Sequence, residues 1–374
     1  MSTSPDPALF QLTCTPAVPE LLRTLRCTIA LSTYQAGKLV FISAVDNERL
    51  VQLPRTFARP MALGWRDGAL VVSTASTVEL FVNEPRAAAA YPRQPDTYDA
   101  LYLPRQTWQT GHIDAHGLEW DASGNLWVVN TKFGCLAKLS SSYSFEPVWF
   151  PPFVTELAPE DRCHLNGVAF RSGAPVYATC LAPTNATGGW RKRLPNAGLL
   201  IDMRTNDVVL SDLPMPHSPR FVGDALYLLF SATGELARID VKRRLYDVVA
   251  KIGGFVRGMA YHRSHLFIAY SKLRKNSSTF RDLPIAEEAT ESGVAIVHEP
   301  TGTLVGRLSY LQSVDEIFDV VILPEQLRPG IVGLDRDERS LAISAPTSSW
   351  WVLPKPTDGS TAAGSPKSGA ADQS

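Results

Sequence analysis

The sequence predicts an all-β fold: one six-bladed β-propeller, closed by N-terminal strands pairing with the C-terminal blade. Three observations predict it. One hairpin motif recurs six times at intervals of about 40 to 60 residues. A second hairpin fills most of the gaps between copies, and helical periodicity is nearly absent.

The first β-rich run, GKLVFISAVDNERLVQL from Gly37, reads as an outer hairpin without an inner partner. The inner units follow: RPMALGWRDGALVVST from Arg59, HGLEWDASGNLWVVNT from His116, HLNGVAFRSGAPVYATC from His164, HSPRFVGDALYLLFSA from His217 and RGMAYHRSHLFIAYSK from Arg257. The sixth and weakest is EIFDVVILPEQLRPGIVG from Glu316. Each sets two apolar runs around a turn such as Asp-Gly, Ser-Gly or Gly-Asp, which is hairpin chemistry. Outer hairpins such as AGLLIDMRTNDVVL and SGVAIVHEPTGTLVGRL complete four-stranded blades. The sixth unit has no outer hairpin of its own. Pairing it with the N-terminal run would remove two exposed sheet edges, which are sites of aggregation. A β-sandwich would account for the strands but not for six copies of one opening.

These limits give an N-terminal extension over 1–28, a propeller over 29–354 and a disordered tail over 355–374, small and polar without aromatics. Residues 19–26 and 283–291 are expected to carry a helical turn or two. Residues 85–110, rich in Pro, Tyr and Arg, read as an inserted loop.

Composition narrows the class. Hydrophobic residues are 45% and charged residues 20% of the 374, enough to bury a sizeable core. A formal net charge of −1 provides no field to gather nucleic acid or an anionic membrane. No apolar run is long enough to span a bilayer, and no secretory signal opens the chain. The five cysteines are an odd number without a C-x-x-C pair, which fits reduced thiols and a cytoplasmic location.

In a propeller the opening of each inner strand lies at the mouth of the central channel. Arg59, His116, His164 with Asn166, His217 with Arg220, Arg257 and Glu316 with Asp319 should therefore converge, although they are far apart in sequence. Three of the seven histidines take this position. Three readings compete. The ring binds an anionic ligand through charge-assisted bonds from its arginines. Alternatively His116, His164 and His217, with Glu316, hold a divalent transition metal such as Zn, Fe or Mn. In the third, the side chains only satisfy one another where strands crowd at the axis. Cys163, beside His164, should face the opposite way and be a buried thiol. No nucleotide-binding, zincin or hydrolase-elbow motif is present.

The strings STYQAGKL, RPMAL, TGHIDAH, VNTKFGCL, WFPPFVTELAPEDRCHLNGVAF, GGWR, MPHSPR, VRGMAY, FRDLPIAE and EIFDV resemble an uncharacterised bacterial family, a domain of unknown function sometimes fused to tetratricopeptide repeats. The resemblance covers roughly residues 20–350 and implies a propeller, without an activity. The functions expected are thus binding of a small anionic molecule or peptide segment at the rim, a metal-dependent hydrolytic or oxidative enzyme, or a scaffold for protein partners.

Overall fold

In the computed structural model, which describes residues 10–273 and 279–352, six sheets stand around one axis. The expected tail at 355–374 lies outside the described residues. From the axis outward, blade 1 is Leu63–Arg66, Ala69–Ser73, Thr77–Asn83 and Ala100–Gln109; blade 2 is Ala115–Trp120, Leu126–Asn130, Cys135–Lys138 and Glu146–Trp149. Blade 3 is Leu165–Arg171, Ala174–Cys180, Asn196–Asp202 and Val208–Pro214; blade 4 is Pro216–Val222, Ala225–Phe230, Glu235–Asp240 and Leu245–Lys251. Blade 5 is Phe255–His262, His265–Ser271, Ser292–His298 and Thr303–Tyr310. Blade 6 joins the two ends of the chain: Asp319–Pro324 pairs antiparallel with Cys27–Thr33, Ser32 opposite Asp319, followed by Lys38–Ala44 and Leu50–Thr56. The closure expected from the sequence is present.

Alternation along each strand explains the core. In Ala225–Phe230, Leu226, Leu228 and Phe230 point toward blade 3, while Tyr227 and Leu229 point toward blade 5. A strand buried on both faces needs a continuous apolar run, and ALYLLF supplies one. Every neighbouring pair of blades encloses such a cluster, so the core is six wedges arranged around the axis. The tight turns match their residues: Asp67-Gly68 and Ser172-Gly173 both have positive φ at each central position, which suits the twist of a two-residue hairpin.

A hydroxyl device repeats between blades. The inner hairpin of most blades ends in Ser or Thr, and that side chain donates to a backbone carbonyl where the next inner strand begins. Thr131 reaches Leu165 O at 2.6 Å, Ser231 reaches Val256 O at 2.6 Å and Ser271 reaches Ile317 O at 3.2 Å. Ser32 closes the ring on Met61 O at 2.5 Å, and Thr179 works through Asn166, whose amide donates to Pro216 O at 3.0 Å. Ser73 of blade 1 instead bonds Ala62 O of its own blade. Each bond satisfies a polar group that would otherwise be costly at the crowded axis.

Three expectations change. Residues 100–109 of the expected insertion form the long outer strand of blade 1, with Pro104 at a register shift where no amide donor is needed. Residues 283–291 form turns, not a helix. Pro329–Ile331 leaves blade 6 and pairs parallel with Ala100–Tyr102 as a fifth strand of blade 1. The first helix spans Val18–Leu25 with Pro19 in its first turn, and buries Val18, Leu22 and Leu25 between blades 5 and 6. Ahead of it, Leu12–Cys14 adds a fifth strand to blade 5. Among the described residues no helix is long and apolar enough to cross a membrane.

Candidate functional site

The backbone delivers the rim side chains by one repeated bend. Just ahead of the inner strands, Arg59, Asp114, His164, Met215 and Ser313 have positive φ of 55°, 50°, 53°, 56° and 69°, and Gly253 takes the same role in blade 5. Non-glycine residues pay strain in this region, which persists only where the surrounding structure enforces it. Two glycines then let the inner strands converge. A Cβ on Gly167 would lie 2.3 Å from Pro219 Cδ, and one on Gly258, at φ +75°, 2.7 Å from Asp319 Cα.

Above the narrowed channel lies a cavity of about 620 Å³. His116, His164, His217, Arg257 and Glu316 all line it, as expected. Arg257 sits on the floor with its side chain 14% exposed. Its guanidinium lies 3.9 Å from the Phe318 ring centre, 2.9 Å from Glu316 Oε1 and 2.7 Å from His116 Nε2. Its Nε–H is buried and has no partner among the described residues. Burial alone would disfavour the charge; the carboxylate and the ring face offset that cost.

Each histidine is held at Nδ1. His116 Nδ1 is 2.9 Å from Asp114 O, and His217 Nδ1 is 3.1 Å from Met215 O and 2.7 Å from Ser231 Oγ. Because the Ser231 hydroxyl donates to Val256 O, His217 must donate to it, which leaves Nε2 as the acceptor. His164 Nδ1 meets the Asp161 carboxylate at 3.0 and 3.2 Å. Desolvation, reinforced by the Arg257 charge and by His164, holds the pKa values of His116 and His217 well below the ordinary value, so both are neutral at pH 7.

The remaining expected residues lie elsewhere. Asn166 and Arg220 line the channel below the cavity, where Asn166 serves the blade 3 to blade 4 bond. Asp319 is there too, accepting the amides of Leu63 and Val320, and burial raises its carboxyl pKa to about 6. Arg59 stays at the outer rim, bonded to the Tyr34 hydroxyl. Among the described residues no three His, Cys, Asp or Glu side chains meet in a metal-binding arrangement. The Nε2 of His116 is already taken by a guanidinium, whose fixed charge opposes a cation there. Cys163 is fully buried in the wedge between blades 2 and 3.

Sequence reasoning singled out none of Asp161, Phe280 and Phe318, and offered Trp190 only within the run 188–198, as a wall of a cleft above the rim or as ordinary loop packing. Trp190 packs its ring 4.3 Å from His164 and donates to Asp161 Oδ2 at 2.8 Å. Phe280 stacks on Trp190, and Phe255 lies 5.6 Å from Phe280, which gives the cavity one aromatic wall. The strings EDRCHLNG and GGWR held two of these residues, but nothing in one sequence shows that the two loops touch.

A solved structure of a nidogen/laminin complex contains a similar chain. The TM-score is 0.51 with 11% identity over 80% of this chain and 99% of that one, which bears on the fold alone. No curated protein matches the chain. The family model for a domain of unknown function, DUF4915, matches residues 16–332 and so takes in all six blades and the histidine cavity; the chain belongs to that family.

Proposed function

We propose that the cavity binds a small organic anion, with its charged head toward Arg257 and its apolar part against the aromatic wall. The observation that carries this reading is Arg257: a buried cation on the floor of a cavity of ligand size, with a donor left unmet. The lining carries both signs, with Asp114, Asp161, Asp315 and Glu316 beside Arg191, Arg257 and Lys272. Arg191, Lys192 and Arg193 are exposed on one short turn (Gly189–Arg193), and neither Lys192 nor Arg193 is paired with an acid among the described residues. Lys272, also on the lining, pairs with Asp315 at 3.2 Å.

A carboxylate, phosphate or sulfate would all suit Arg257, and a peptide would enter by its terminal carboxylate. Thermal-shift and calorimetric titration with acetate, succinate, benzoate, phosphate and sulfate tests the reading. Benzoate or succinate should stabilise the protein, and Arg257→Met should abolish the shift. No response to any of the five would refute it. Elemental analysis keeps the metal alternative distinct: one equivalent of Zn, Fe or Mn, lost in a folded His164→Ala/His217→Ala double variant, would replace the anion reading with a metalloenzyme.

A further inference from the structure

We infer that the same cavity is a hydrolytic site in which His164, oriented by Asp161, is the general base toward water, and that the substrate is an ester or lactone of a small organic anion. The inference rests on the anion-binding reading and adds a reaction to it. Its geometric basis is a histidine–carboxylate pair and is independent of Arg257.

The three rim histidines differ in what stands behind them. His116 is backed by a carbonyl and blocked in front by Arg257. His217 is backed by a hydroxyl and a carbonyl, neither of which carries a charge. Only His164 is backed by a carboxylate, with both oxygens of Asp161 within 3.2 Å of Nδ1. That bond places the proton on Nδ1 and leaves the Nε2 lone pair free to accept another, and the carboxylate stabilises the imidazolium that results. Among the described residues no hydrogen bond reaches Nε2 of His164, and the ring lines the cavity with 15% of its side chain exposed.

The pair is held in place from every side. Trp190 Nε1–H donates to Asp161 Oδ2, and Arg191 lies 3.5 Å from the same oxygen. The indole covers one side of the imidazole at 4.3 Å, and His116 meets it edge-on at 4.8 Å. The backbone is fixed as well: His164 has φ +53°, and the amides of Leu181 and Ala182 bond the carbonyls of Cys163 and His164. Strain retained at a non-glycine residue that also carries a charge-backed imidazole is the combination found at reactive positions.

The chemistry needs only water. As the water oxygen bonds to the carbonyl carbon, one water proton passes to His164 Nε2, and the carbonyl π pair moves onto its oxygen. When that pair returns, the bond from the carbonyl carbon to the leaving oxygen breaks, and the imidazolium gives its proton to the leaving oxygen. One water is consumed, a carboxylic acid and an alcohol are released, and His164 is neutral again. Arg257, the permanent cation on the same lining, would hold the anionic head of the substrate.

The test uses the full chain with 4-nitrophenyl hemisuccinate, an ester that carries its own carboxylate, alongside calorimetric titration of succinate. The parent should release nitrophenolate with turnover, and His164→Gln should lower kcat by about 100-fold or more. His164→Asn repeats the test in a residue that accepts the left-handed φ, which separates loss of chemistry from loss of folding. Asp161→Asn, a change in a positioning residue, should lower kcat at least about tenfold while KM stays unchanged. If the parent binds succinate but hydrolyses the ester no faster than His164→Gln, the base is overturned and the anion reading stands. If the parent neither binds succinate nor hydrolyses the ester, both fall.

Discussion

The two ends of the central channel are built from the same six strands and differ in chemistry. The upper end opens into the cavity of about 620 Å³, where strained turns aim three histidines, Arg257 and an aromatic wall inward. The lower end is a smaller recess of about 250 Å³, lined by Trp65, Glu119, Arg220, Tyr261 and His262. Those residues are placed by ordinary strand alternation, without special backbone conformations at their own positions. Burial also acts on opposite groups along the channel. Above, it keeps His116 and His217 from accepting protons; below, it pushes the carboxyl pKa values of Glu119 and Asp319 up, Asp319 to about 6. The loops, not the strands, distinguish a site from a structural channel.

The largest effect expected from this contrast concerns the two arginines. Each has a buried Nε–H without a partner among the described residues, yet of the two only Arg257 lines the upper cavity. Arg257→Met should weaken binding of the best anion by about 30-fold or more, the loss of a desolvated charge contact worth roughly 2 kcal/mol. Arg220→Met should leave that affinity within about threefold. Calorimetry on both variants decides the matter, and equal losses would mean that the channel acts as one site.

A second comparison separates bonds between blades from bonds within one. Ser231 joins blade 4 to blade 5 and also holds His217 in its tautomer, whereas Ser73 bonds only its own blade. Ser231→Ala should cost about 1–2 kcal/mol, because it removes the donor to the Val256 carbonyl and leaves the His217 Nδ1–H with Met215 O alone. Ser73→Ala should cost less than about 1 kcal/mol. Urea midpoints of the two variants measure the difference. A loss as large for Ser73 as for Ser231 would show that the bond between blades has no special weight.

The fold was legible because propeller strands declare themselves locally. Runs such as ALYLLF, with turn residues on either side, fix two buried faces, and six copies fix the ring. The rim was legible in part by register: His116, His217 and Arg257 share one position in the repeat, whereas His164 stands two residues earlier, at the left-handed bend it shares with Asp114 and Met215, and all four line the cavity. The contact between Asp161 and Trp190 was not, because Asp161 sits in the connection from blade 2 to blade 3 and Trp190 in a loop within blade 3, where neither periodicity nor spacing encodes contact. Residues 100–109 were hidden by Pro104, which reads as a breaker but falls at a register shift that needs no donor. The hydroxyl bonds were visible in principle, since VVST, VVNT, YATC, LLFSA and IAYSK all end on Ser or Thr near one position. A small polar residue at a strand end carries no signal until its partner carbonyl is known.

The smallest effect expected is in the pH dependence of stability, where two groups along the channel oppose each other. Asp319 has a folded pKa of about 6 against an ordinary 3.8, so the fold binds more protons than the unfolded chain between those values. Its contribution is full below about pH 4 and is lost as pH rises toward and past 6. His217 has a folded pKa well below 6.5, so the unfolded chain binds more protons below that value, and stability falls as pH drops beneath about 6.5. Between about pH 4 and 6.5 these slopes have opposite sign and partly cancel. Asp319→Asn should therefore make the urea midpoint rise more steeply with pH across that window, and His217→Gln should tilt it the other way. Parallel profiles for the parent and both variants would show that burial does not separate the two groups as described.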